Sequence, residues 1–223
     1  MPARESGKDR IRAARTRAAG EPARPRQARS RDTLERLLGA AEAIAREKGL
    51  AAAGVPEIAG RAGTSVGNFY RRFRSKEALV EALEQRFLAG REERWRRLLE
   101  DVAWEGRPAS AIIERVVAEI IARHRRHRRF LREIALRARP SYERRTARGH
   151  SWLVTRLTEL IEARQPIGHA DPRAAVAFAL EMVSATAGEL ILFRERSEVR
   201  LTERELLAQL TLASVRYLGI PSA

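Results

Sequence analysis

Residues 55–79 read VPEIAGRAGTSVGNFYRRFRSKEAL, and this stretch sets the fold. Ile58, Ala59 and Ala62 give a first short helix an apolar face, and Gly63 stops it. Thr64 and Ser65 then offer hydroxyls to the next helix, whose first N–H groups have no partner within it. That second helix is predicted from Val66 to Phe73. It buries Val66, Phe69 and Phe73 and leaves Asn68, Tyr70, Arg71 and Arg72 available for contact. Ser75 caps a third, longer helix that opens with Lys76. Two short helices about a small-residue turn, the second polar and basic, are the helix-turn-helix arrangement that enters a DNA major groove.

The order Ile58-Ala59, Ala62-Gly63, Ser65, Gly67, Tyr70, Phe73, Lys76-Glu77 and Leu79 resembles the DNA-binding signature of the TetR (tetracycline-repressor-like) family of bacterial regulators. Its spacing has no gaps, and the expected DNA-binding domain with its preceding helix is 30–80. The resemblance implies a double-stranded DNA operator as partner, a phosphate hydrogen bond from Tyr70, and a backbone anchor at Ser65. Three positions depart from the commonest pattern. Thr64 stands where a valine is usual, and Ala53 and Gly54 replace hydroxyls that often touch phosphate.

The residues add their own reasons. Lys76 occupies the first turn of a helix, where the dipole disfavours a cation but a nearby phosphate favours one. Gly67 costs its helix about 1 kcal/mol relative to alanine, which suits a close approach to DNA or to the neighbouring helix. Asn68 suits adenine, and Arg71 and Arg72 suit guanine, although arginine binds phosphate as well. The DNA-facing set is therefore Thr64, Ser65, Gly67, Asn68, Tyr70, Arg71, Arg72 and Lys76.

Upstream, Leu34, Leu37, Leu38, Ala41, Ile44 and Ala45 repeat at helical spacing. They predict a bracing helix from Asp32 to Lys48, capped by Ser30 and ended by Gly49. Before it, residues 1–29 are rich in Arg, Ala, Gly and Pro and too poor in apolar residues to fold alone. A disordered basic arm that assists DNA binding and a solubilising leader are the two readings. The net charge of +15 is unevenly placed: +7 in residues 1–31, 0 in 32–122, +9 in 123–148 and −1 in 149–223. Within the motif, Arg61, Arg71, Arg72, Arg74 and Lys76 lie in an acid-free run. The 123–148 segment reads most simply as a solvated arginine-rich surface, with an acidic ligand or nonspecific DNA as alternatives; 41 of the 44 basic residues are Arg, so arginine is this chain's general choice.

Downstream, the helix from Ser75 runs to about Val102 and links the motif to the remainder. Further helices are predicted at 109–126, 128–138, 141–164, 172–193 and 202–218, broken by Gly106-Arg107-Pro108, Pro140 and Pro166-Ile167-Gly168. The fold class is all-α: a three-helix N-terminal helix-turn-helix domain joined to a larger helical domain over 81–223. The resemblance implies that this second domain binds an effector and dimerises through its last two helices. Both of those helices are apolar on more than one face, for which a four-helix bundle across the two-fold axis of a homodimer is the simplest account and an ordinary monomer core the alternative. A largely apolar effector is expected, with Trp104, Ile120, Phe130, Trp152, Leu153, Phe178 and Met182 as candidate lining and His124 or His127 as polar fixtures.

Other classes fare poorly. There is no cysteine, so disulfides and thiolate metal sites are excluded. His124 and His127 lie in an arginine-rich run without carboxylates, which disfavours a metal, and no cofactor is expected. No nucleophile elbow or oxyanion loop accompanies the serines, so no catalytic residue is assigned. No apolar run is read as approaching a membrane span of roughly 20 residues, and the basic N-terminus lacks a signal-peptide core. The expected compartment is the cytoplasm. The expected function is a ligand-responsive repressor on a pseudo-palindromic operator; the alternative is a small helical enzyme or small-molecule-binding protein with an incidental basic surface.

Overall fold

Arginine, glutamine and alanine are all good helix formers, and the sequence RQAR carries the first helix upstream of its expected start. In the computed structural model, which describes residues 26–137 and 140–221, α1 spans Arg26–Glu47. Ser30 thus lies inside the helix rather than capping it, and residues 26–29 of the expected arm are helical. The remainder of that arm, 1–25, lies outside the described residues.

The motif follows as α2 (Val55–Arg61), α3 (Val66–Arg72) and α4 (Lys76–Leu98). Ser65 caps α3 by accepting from Asn68 N, and Ser75 caps α4 by accepting from Ala78 N. Gly63 turns the chain between α2 and α3 at φ 61°, a conformation L side chains avoid. Phe69 and Phe73 are buried as expected, but Val66 is 38% exposed. At the first residue of a seven-residue helix it points away from the packed side. α4 stops at Leu98, short of the expected Val102, and a 3-10 turn (Asp101–Trp104) follows. The turn folds Trp104 back so that its indole N–H donates to the Leu98 carbonyl at 2.7 Å.

The other helices are α5 (Ala109–Arg126), α6 (Arg128–Arg137), α7 (Pro140–Glu162), α8 (Pro172–Leu192) and α9 (Glu203–Tyr217). Asp171 caps α8, and Thr202 with Glu205 forms a capping box on α9. The described residues contain nine α-helices and no strand. α8 is long and apolar enough to cross a membrane by length and composition, contrary to the sequence reading. It packs against α5, α6, α7 and α9, yet only 39% of its most apolar window is buried.

Two hydrophobic cores result. One joins Trp95, Leu99 and Trp104 to the inner faces of α5, α7, α8 and α9. The other joins α1 to α3 and the first half of α4, and it also takes Phe130 and Ile134 from α6. Between these two residues, Glu133 accepts the backbone N–H groups of Leu50 (3.0 Å) and Ala51 (2.7 Å). The loop can wrap the carboxylate because Gly49 sits at φ 86°, where an added Cβ would come within 2.9 Å of Glu133 Oε1. Arg129 adds a bond to the Arg46 carbonyl at 2.9 Å, and Arg132 reaches the Leu192 carbonyl at 3.0 Å and pairs with Glu195. The arginine-rich segment is therefore not merely solvated where its side chains are described.

His124 is buried on α5 facing Gly188 of α8, and its Nδ1 donates to the Ile120 carbonyl at 2.8 Å. A carbonyl only accepts, so Nδ1 carries the proton and Nε2 is the free acceptor. Burial, reinforced by the charge of Arg123, lowers its pKa to about 4.

Two consequences can be measured. Glu133→Ala removes two hydrogen bonds to an ionised acceptor and is expected to lower stability by about 2 kcal/mol in urea unfolding; Glu133→Gln, which keeps one acceptor oxygen, should recover part of it. His124 binds its proton near pH 6.5 when unfolded but near 4 when folded. Stability should therefore be lost as pH falls through that window, by up to about 3 kcal/mol from this group. His124→Leu should flatten that part of the curve; an unchanged slope between pH 6.5 and 4.5 would rule out a neutral buried imidazole.

Candidate nucleic-acid interface

The recognition element is built from one cap and one short polar chain. Ser65 holds the first turn of α3 through Asn68 N at 3.2 Å. Thr64 Oγ1 accepts from the Asn68 side-chain amide at 3.1 Å, and Asn68 Oδ1 accepts from Arg71 Nη2. Thr64, Asn68 and Arg71 are thus one network that fixes the amide orientation of Asn68 and draws the Arg71 guanidinium back along α3. The valine usual at position 64 would leave the Asn68 amide without this acceptor.

The neighbouring positions divide. Tyr70 is 53% exposed and rests edge-on against Phe69, 5.4 Å between centroids. Arg72 donates to the Ser30 carbonyl at 2.7 Å, tying α3 to α1. Lys76 Nζ donates to the Ala51 carbonyl at 3.0 Å, in the loop that Glu133 holds. Around Gly67 the nearest atom to an added Cβ is Ser65 Oγ at 3.9 Å. Among the described residues no neighbouring helix comes within 4 Å of that Cβ position, which speaks against helix packing as the reason for that glycine.

Arg61 departs from the acid-free run seen in sequence. Its guanidinium forms a two-armed pair with Glu47 of α1, and this hydrogen bond holds the Glu47 carboxyl below its usual range. Lys48 likewise pairs with Glu57 at 2.7 Å. Among the described residues, no carboxylate lies in ion-pair contact with Arg71, Arg72, Arg74 or Lys76. The uncompensated positive charge of this domain therefore gathers at α3 and its exit, where phosphates would lie.

The effector candidates are dispersed. Trp104 and Ile120 are core residues, and His124 is buried between α5 and α8. Trp152 is half-buried beneath Arg96, whose guanidinium lies 5.0 Å from its ring. Leu153 is buried and Met182 half-buried, while Phe178 is 56% exposed beside Tyr217. His127 and Phe130 share a cleft of about 360 Å³ between α1, α4, α5 and α6. His127 packs edge-on against Phe87 at 4.9 Å, and burial first, then Arg126, lowers its pKa.

Sequence reasoning missed most of that cleft. Its polar walls come from Glu42 and Arg46 of α1, Arg86, Arg91 and Arg94 of α4, and Glu119, Arg123 and Arg126 of α5. Arg86 is held by Glu35 and Glu42, and Arg94 lies 3.3 Å from the buried Glu119. The only local signal was Arg123 and Arg126 at i,i+3 spacing on one helix face. Nothing in the sequence placed α1 and α4 opposite them.

Comparison with known proteins bears on both halves. Residues 37–83 match the sequence profile described as bacterial regulatory proteins, tetR family. No curated protein matches the chain by sequence. Among solved structures, a regulator assigned to the TetR family from Mesorhizobium loti MAFF303099 superposes with a TM-score of 0.68 at 18% identity, covering 86% of this chain and 97% of that one. A transcriptional regulator from Rhodococcus sp. Rha1 gives 0.64 at 22% identity over 83% and 96%. The regulator FadR from Bacillus subtilis, in complex with stearoyl-CoA, gives 0.59 at 17% identity over 84% and 99%. Residues 37–83 thus carry the DNA-binding domain of the bacterial regulatory proteins of the tetR family, and the chain around them shares the fold of these solved regulators.

Proposed function

We propose that the protein is a homodimeric, ligand-responsive repressor that binds a pseudo-palindromic operator. The observation that carries this reading is α3: a seven-residue helix, capped by Ser65, whose exposed face presents Tyr70 and the Thr64–Asn68–Arg71 network beside cations without a carboxylate partner among the described residues. Arg71 is the base reader, because its guanidinium is already oriented by Asn68. Tyr70, Ser65, Thr64 and Lys76 hold phosphates, and Gly67 lets the backbone come close. Arg72, bonded to α1, serves a phosphate and braces the domain rather than reading a base. The division lies near residue 80, with effector binding and dimerisation in 81–223.

The dimer reading rests on surface that the chain leaves uncovered. Phe178 of α8 and Leu212 of α9 are 56% and 37% exposed, among exposed alanines at 174, 185, 208 and 213. Four such helices, two from each copy, would bury them about a two-fold axis. That arrangement sets two α3 helices one DNA turn or a related spacing apart, about 34–36 Å for one turn. FadR bound to stearoyl-CoA illustrates that this fold can enclose an organic ligand, and a ligand acts here only through its different affinity for two orientations of the reading heads.

Gel-shift titrations against the upstream region of the protein's own gene test the DNA assignments. Arg71→Ala should cost about 1–3 kcal/mol and relax base preference at one position of each half-site. Tyr70→Phe and Lys76→Ala should weaken all sequences alike, the lysine change lowering the salt slope by about one per half-site. Equal loss at all sequences for Arg71→Ala would remove it as a base reader. Separately, sedimentation should show a dimer that Phe178→Glu converts to monomer; a monomeric wild-type protein at micromolar concentration would end the dimer proposal.

A further inference from the structure

The cleft between α1, α4, α5 and α6 has a composition that the expected apolar effector does not explain. Six arginines face it against two glutamates, and both glutamates are engaged with Arg86 and Arg94. Among the described residues, neither Arg46 nor Arg126 forms an ion pair with a carboxylate. Around His127 the charges of Arg126, Arg46 and Arg123 stand against that of Glu42, so the cations outnumber the anions there. The floor is aromatic: Phe87 meets Phe130 edge-on at 5.5 Å and His127 at 4.9 Å, with Trp95 beyond. At about 360 Å³ the cavity is of small-molecule size.

We infer that this cleft binds an amphipathic organic anion, its charged head between Arg46 of α1 and Arg126 of α5 and its apolar body on Phe87, Phe130 and Trp95. Guanidinium groups bind carboxylate and phosphate oxygens through paired N–H donors, and aromatic side chains bury flat or chain-like apolar bodies. A neutral apolar ligand would leave the arginines desolvated without compensation, which is costly. Because Arg46 belongs to the helix that braces the recognition helix while Arg126 belongs to α5, a bound anion touches both cores at once. This inference rests on the reading of the protein as a ligand-responsive regulator, and it names the chemistry of the ligand and its place at the seam.

Gly90 gives a handle on the site. It lines the cleft from the middle of α4, and nothing lies within 4 Å of where its Cβ would sit. Gly90→Ala should keep the cleft open and Gly90→Trp should fill it.

The probe is the dye 8-anilinonaphthalene-1-sulfonate, compared with N-phenyl-1-naphthylamine, which has the same aromatic body and no charge. With the full-length protein, the sulfonate should bind at least about tenfold more tightly than the amine. Arg46→Gln and Arg126→Gln should each weaken it about tenfold. Gly90→Trp should abolish binding while Gly90→Ala does not, with circular dichroism showing all four variants folded. Displacement by dodecanoate or by dodecyl phosphate then distinguishes a carboxylate from a phosphate head, and dodecanol should displace neither dye nor anion. Equal affinity for the two dyes, or sulfonate binding that survives Gly90→Trp, would overturn the inference. A protein that binds the dye as described but no DNA would leave this site standing and sink the regulator reading; one that binds its operator but fails the dye criteria would do the reverse.

Discussion

The structure turns on the clasp between Glu133 and the backbone of Leu50 and Ala51. The core of α1 to α3 and the first half of α4 also takes in Phe130 and Ile134, one helical turn apart on α6. Glu133 lies between them, so one helix supplies both the apolar fill and an ionised acceptor for two loop N–H groups. On its other side α6 is tied to the end of α8 through Arg132, which bonds the Leu192 carbonyl, pairs with Glu195 and lies over the Phe193 ring. The ten-residue α6 thereby links the helix-turn-helix core to α8, alongside α4, which takes part in both cores.

Charge placement separates this chain's surface into distinct zones. Near α2 the basic residues are neutralised, Arg61 by Glu47 and Lys48 by Glu57. At α3, among the described residues, no carboxylate pairs with them, and Arg71 and Arg72 donate to an amide oxygen and a carbonyl. A hydrogen bond to a neutral acceptor orients a guanidinium without cancelling its charge, leaving the full field available to a phosphate. The same distinction applies inside the cleft, where Arg86 and Arg94 meet carboxylates and Arg46 and Arg126 do not.

Local signals were legible in the sequence and distant ones were not. Ser65, Ser75, Gly63 and Gly49 mark helix ends because capping and left-handed turns depend on a residue and its nearest neighbours. Ser30 misled for the same reason: a hydroxyl before an apolar run is a start signal only where the preceding residues resist helix, and RQAR does not. Val66 was assigned to the core by periodicity, but a seven-residue helix turns barely twice and its first residue can lie beyond the packed face. Glu133 and Ala51 are 82 residues apart, as are no cues in either segment to suggest that they meet. The cleft arginines were visible as composition in the 123–148 segment, yet their function depends on which helices face them.

The apolar excess of α8 follows from the same geometry. A helix that faces one core needs an apolar stripe of about a third of its circumference, whereas α8 is apolar enough to pass as a membrane span. Its inner face is accounted for by α5, α6, α7 and α9, including the close approach of Gly188 to His124. On the remainder, Phe178 is left 56% exposed by the described residues. α8 also receives the Arg132 contact from α6, so a second copy seated on α8 would hold two such helices in a fixed relation. The distance between two such domains would then depend on the contacts of α6 with loop 48–53 and with α8, and an anion bridging Arg46 of α1 and Arg126 of α5 would tie the helices beside that seam.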